Sequence, residues 1–154
     1  MREATRLKVK MLTMHILGDE EMLKSAIKAA RGEAKKRRVK RPLLIGVTVL
    51  TSKEATSNDI LTLAKIGIEA GLDGVVCSAR EAKFLRQEIK KEFIIVTPGI
   101  RPEGAKSDDQ KRTATIAEAI QAGSNFLVIG RPILKSDNPL RSAKEIVWQK
   151  NLKA

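Results

Sequence analysis

Two arginines stand where a phosphate could be gripped. The first lies in Thr97-Pro98-Gly99-Ile100-Arg101-Pro102, directly after a short apolar run and before Ser107-Asp108-Asp109-Gln110-Lys111-Arg112. Pro98 and Pro102 restrict the backbone and Gly99 lets it approach a ligand closely. Arg101 adds a planar fork of donors suited to bidentate contact with a phosphoryl group. The second arginine lies in Ile129-Gly130-Arg131-Pro132, where Gly130 can expose a backbone N–H beside the guanidinium of Arg131. Together they predict a preorganised anion site.

Other reactive side chains are few. Cys77 and His15 are the only cysteine and histidine, so an internal disulfide and a Cys/His zinc site are both excluded; no metal is expected. Cys77, with no histidine or cation cluster near it in sequence, reads as a small buried apolar residue rather than a nucleophile. His15 reads as structural or exposed, not catalytic. Ser78, at the end of an apolar run, is a candidate to face a ligand.

Positioning these groups requires a regular scaffold, and the apolar pattern supplies one. Short β-branched runs at Val9–Ile16, Leu43–Leu50, Asp73–Ser78, Phe93–Thr97 and Asn125–Ile129 predict strands buried on both faces. Between them, apolar residues recur at three- and four-residue spacing, as in Met22, Leu23, Ala26, Ile27 and Ala30, and again from Ile60 to Gly67. Those stretches predict amphipathic helices, with more at Glu81–Lys90, Ile116–Ala122 and Pro139–Asn151. Gly71 and Gly123 fit helix ends that need positive φ. The order is β-α five times after a short polar lead-in, which means parallel strands and right-handed crossovers in an α/β fold. A closed barrel of eight such units takes roughly 31 residues per unit. The 154 residues therefore match five units of an incomplete TIM (β/α)8 barrel in a single domain spanning 1–154. In such barrels phosphate sites are built by the loops after the last two strands, which here carry Arg101 and Arg131.

Composition narrows the class. Apolar residues make up 42% of the chain, enough for a core, and no apolar stretch is long enough to span a bilayer. The first twenty residues lack a signal peptide's apolar block, and a reducing cytoplasm is the expected location. Lys and Arg number 30 against 18 Asp and Glu, so polyanions and phosphorylated ligands are attracted. Much of that excess falls in Arg31, Lys35, Lys36, Arg37, Arg38, Lys40 and Arg41. With no aromatic in the run to stack on bases, it reads as a solvated basic turn, and nucleic acid is not the expected partner.

Val47-Thr48-Val49-Leu50-Thr51-Ser52, Gly71-Leu72-Asp73-Gly74-Val75-Val76-Cys77-Ser78, the Thr97–Pro102 loop, Asp109-Gln110-Lys111-Arg112 and Gly130-Arg131-Pro132 closely resemble bacterial orotidine 5′-phosphate decarboxylase. The likeness runs from Val9 to about Ile146. It implies a cofactor-free carboxy-lyase of pyrimidine synthesis that converts orotidine monophosphate to uridine monophosphate. By position, Arg101, Gln110, Gly130 and Arg131 would hold the 5′-phosphate, Thr51 would lie at the nucleotide and Pro98 would line the base pocket.

The departures bear on catalysis. The family's lysines and aspartates lie largely on an Asp-x-Lys-x-x-Asp stretch at the third strand, which this sequence lacks; its only Asp-x-Lys is Asp109-Gln110-Lys111, with Ala114 where the second aspartate belongs. The resemblance thus implies the phosphate-binding half of the enzyme without the catalytic stretch, or a noncatalytic nucleotide-binding remnant. The unpaired edges of five barrel units predict one of three outcomes: a homo-oligomer whose sheets complete each other, a separate chain supplying the first three units, or an open sheet rearranged to cover itself.

Overall fold

The computed structural model describes residues 1–49, 55–101 and 113–152. The elements in chain order are α1 (Arg2–Arg6), β1 (Met11–His15), α2 (Glu20–Arg37), β2 (Leu43–Val47), α3 (Ser57–Ala70), β3 (Gly74–Val76), α4 (Ala79–Glu88), β4 (Ile94–Thr97), α5 (Ile116–Gln121), β5 (Phe126–Leu127), α6 (Arg131–Leu134) and α7 (Pro139–Leu152). The strands form one parallel sheet in the order β1-β2-β3-β4-β5, so each strand pairs with its neighbours in sequence.

Local chemistry sets the helix boundaries. Asp19 caps α2 by accepting from the Met22 amide, and Thr56 and Thr115 close capping boxes with Asp59 and Glu118 at the starts of α3 and α5. At the other end of α3, Gly71 has φ +101°, its N–H reaches the Ile68 carbonyl, and Leu72 N–H reaches Gly67. Gly123, at φ +90°, and Ser124 repeat this pattern after α5 on Ile120 and Ala119. Both are Schellman motifs, in which a positive φ frees two amides to satisfy the last helical carbonyls.

The register puts Leu44, Val75 and Ile95 on the sheet face that packs on the helices, where they join Leu23, Ile27, Ile60, Ala64 and Leu85 in the main core. A second cluster of Ile100, Ile116, Ala119 and Ile146 lies under α5 and α7. On the opposite face one row runs His15–Val47–Val76–Val96–Phe126. Its centre is shielded, but His15 and Phe126 at its ends are exposed.

Burial on both faces, expected of all five strands, therefore holds only for the middle of the sheet. Among the described residues β1 and β5 are rims with a neighbour on one side only, so part of their side-chain surface meets solvent. Beside β5 a cavity of about 440 Å³ is lined by Ile116, Ile120, Phe126, Leu127, Ile129 and Ile146. Leu140, Val147 and Trp148 of α7 are exposed as well. Two short helices were not in the sequence pattern: α1, in the stretch expected as a polar lead-in, and α6, which begins at Arg131.

Candidate functional site at the strand ends

Ligands of parallel β-α sheets bind at the carboxyl ends of the strands, and this end carries the candidate residues. β4 closes on buried Thr97 and runs into Pro98 and Gly99, the latter at φ +79°. Ile100 then forms a single parallel bridge with Ala114. Arg101 N–H donates to the Ala114 carbonyl at 2.9 Å, and Ala114 N–H donates to Gly99 at 3.2 Å. Ile100 is fully buried in the second core cluster. Arg101 therefore leaves from an anchored backbone, and its guanidinium donates to the Ile100 carbonyl at 2.9 Å.

The neighbouring strand is held to the same frame. Val128 N–H donates to the Thr97 carbonyl at 2.9 Å, so β5 ends beside β4. Gly130 follows, accepting from the amides of Ile133 and Leu134 at 2.9 and 3.0 Å, and Arg131 opens α6. Ser142 of α7 fastens this turn by donating to the Pro132 carbonyl at 3.1 Å. Gly130 has negative φ, and a Cβ built on it would meet nothing within 4 Å. Neither conformation nor packing requires glycine there.

Topology thus carries Pro98, Arg101, Gly130 and Arg131 to the same end of two adjacent parallel strands. Thr51, which follows β2, and Gln110, between β4 and α5, lie outside the described residues, as do Asp109, Lys111 and Arg112.

The remaining reactive groups are mostly structural. Cys77 is 2% exposed. Burial, with a smaller push from Glu81 that Arg86 only partly offsets, drives its thiol far above the ordinary range and keeps it protonated. Ser78 is the N-cap of α4 and its amide donates to Glu81 at 2.8 Å. Within the basic run, Arg37 is paired with Glu33 and Arg41 with Asp73. His15 stands exposed at the end of β1.

A single parallel sheet of five consecutive β-α units with helices packed on it belongs to the class of β/α-barrel domains. The orotidine 5′-phosphate decarboxylase / HUMPS family model matches residues 1–146, and the chain belongs to that family. It is 45% identical over 156 residues to an orotidine 5′-phosphate decarboxylase of Neisseria meningitidis, covering 94% of this chain and 61% of the relative. With one from Wolbachia pipientis it shares 50% over 153 residues, covering 92% and 64%. The crystal structure of the Lactobacillus acidophilus orotidine 5′-phosphate decarboxylase superposes with a TM-score of 0.81 at 32% identity, over 97% of this chain and 67% of that one. The chain spans less than two thirds of the length of the curated relatives it matches.

Proposed function

We propose that this chain is the nucleotide-phosphate-binding part of an orotidine 5′-phosphate decarboxylase. In this reading Arg101, Gln110, Gly130 and Arg131 hold the 5′-phosphate of orotidine or uridine monophosphate, while Thr51 and Pro98 lie along the nucleotide. The observation that carries it is the empty space over Gly130, beside Arg131 and one strand from Arg101. A glycine that its own fold does not need, next to a guanidinium at the ligand-binding end, suits close approach by an anion.

Phosphate binding is remote from the pyrimidine ring, and binding energy spent there can lower the barrier at the ring only where the reacting groups are also in place. A lysine must protonate the carbon left by the departing carboxylate, and aspartates must keep that lysine charged. By the resemblance those groups sit on an Asp-x-Lys-x-x-Asp stretch, a pattern that these 154 residues do not contain. Turnover therefore depends on completing the barrel. The rims at β1 and β5, with the apolar cavity beside β5, support association with a second copy or with a chain carrying the other units.

Calorimetric titration with uridine monophosphate tests the first part: wild type binds, and Arg131→Ala weakens binding by about tenfold or more, since a charge-assisted contact is worth about 1.5–3 kcal/mol. Equal affinities would remove the phosphate assignment. Light scattering on a sizing column tests the second, and a monomer that unfolds cooperatively would refute association. Formation of uridine monophosphate from orotidine monophosphate by the purified chain would overturn the dependence on completion.

A further inference from the structure

A second basic site lies away from the strand ends. Between α1 and α2 is a cavity of about 670 Å³ lined by Arg2, Arg6, Lys28, Gly32, Glu33 and Lys36. Its one carboxylate is already committed: Glu33 is 6% exposed and its Oε1 accepts from Arg6 at 2.8 Å and from Arg37 at 2.7 Å. Arg2, Lys28 and Lys36 make no ion pair among the described residues.

The spacing favours an extended anion over a compact one. Lys28, Gly32 and Lys36 follow one another at four-residue intervals on one side of α2. Two lysines eight positions apart leave the helix about 12 Å from each other along its axis. Between them a Cβ on Gly32 would meet nothing within 4 Å. Glycine is unfavourable in the middle of a helix, and no close packing contact explains it here. The result is a bare stretch of helix flanked by cations that make no ion pair among the described residues, with Arg2 and the already paired Arg6 across the groove on α1. A single phosphate over Gly32 reaches few of these charges, whereas a linear chain of phosphates can reach several. The lining contains no aromatic ring on which a base could stack, which argues against nucleic acid.

We propose that the α1–α2 groove binds a short phosphoanhydride polyanion, independently of the nucleotide site. The probe is tripolyphosphate, titrated calorimetrically into the full chain at low salt. The expected result is one groove site per chain, with affinity falling as salt rises. Lys28→Gln with Lys36→Gln raises its Kd by about tenfold or more, on the scale of losing charge-assisted contacts. Gly32→Leu, which fills the gap while leaving every charge in place, does the same. Circular dichroism and the melting midpoint verify that both variants fold, and their affinity for uridine monophosphate stays at the wild-type value. Three results would overturn the site: no tripolyphosphate binding, a Kd that neither variant changes, or complete displacement by stoichiometric uridine monophosphate.

Discussion

Arg41 grips Asp73 through both ends of its guanidinium, Nη1 to Oδ2 and Nη2 to Oδ1, each at 2.7 Å. Asp73 Oδ2 also accepts from the Leu44 amide at 2.7 Å, and Arg41 donates to the Pro42 carbonyl. One carboxylate thus ties the entry of β2 to the turn before β3. Side-chain exposures of 24% and 19% put the pair below the surface, where ion pairs are worth more than the fraction of a kcal/mol typical of exposed ones. Arg41→Ala should lower unfolding free energy by about 1.5–3 kcal/mol, and Arg41→Lys should restore only part of it, because a lysine cannot make the fork. Urea denaturation measures both. A loss under about 0.5 kcal/mol would put the pair among ordinary surface contacts.

Acid should destabilise the fold through the carboxylates that arginines hold. Hydrogen bonds from Arg6 and then Arg37 hold Glu33 at about 2, below its ordinary 4.5, despite opposing burial. Burial also pushes Asp73 upward, but its hydrogen bonds to Arg41 and Leu44, aided by the charges of Arg41 and Arg31, bring it below the usual carboxylate value. A folded-state value below the unfolded one gives stability that is complete above the unfolded value and lost as pH falls through the folded one. The melting midpoint should therefore stay level down to about pH 5 and then drop. Glu33→Gln should begin lower at neutral pH and fall less steeply in acid; an acid slope equal to wild type would remove Glu33 from this account.

Two glycines should respond oppositely to alanine. A Cβ on Gly74 would stand 2.1 Å from the Ile94 carbonyl oxygen, so β3 or β4 must move to admit it. Gly74→Ala should destabilise by about 1–3 kcal/mol, as overpacking does. Gly130→Ala should leave the melting midpoint unchanged and weaken uridine monophosphate binding about tenfold, by placing a methyl where the anion would approach. Unaltered nucleotide affinity in Gly130→Ala would take away the observation on which the proposed site rests.

Arg38 ends α2 at φ +55° and ψ +41°, with its amide on Lys35 and the Val39 amide on Ala34. This is the hydrogen-bond pattern that Gly71 and Gly123 close elsewhere, here made by a residue with a Cβ. The left-handed conformation costs a non-glycine residue about 1–2 kcal/mol, partly offset by the greater unfolded-state freedom of glycine. Arg38→Gly should stabilise by about 0.5–1 kcal/mol in thermal or urea unfolding. A decrease would mean that the arginine side chain has a compensating role.

Legibility in the sequence followed the range of the interactions. β2, β3 and β4 fall inside the runs Leu43–Leu50, Asp73–Ser78 and Phe93–Thr97, because strands covered on both faces are written as unbroken apolar stretches. Gly71 and Gly123 were readable for a similarly local reason. Asn125–Ile129 shrank to Phe126–Leu127 because a rim strand has hydrogen-bond partners on one side only. α1 was not readable: Arg6 reaches Glu33, a partner 27 positions away, and Glu33 in turn holds Arg37. At the candidate site, the spacing placed Pro98, Arg101, Gly130 and Arg131 at strand ends. The Ile100–Ala114 bridge that anchors Arg101 left no sequence pattern, since one isolated pairing has no periodicity.

The sheet order β1-β2-β3-β4-β5 also has a kinetic meaning. Every pairing joins segments that are consecutive in the chain, so no strand must wait for a distant one to return and thread between formed neighbours. The entropy of closing each crossover is similar, because it grows only slowly with loop length. Assembly can start at β2–β3–β4 and spread outward by accretion, and opening can retreat by the same route. Amide hydrogens of β1 and β5 would then exchange with solvent before those of β3, and a change of length at either rim would leave the interior pairings in register.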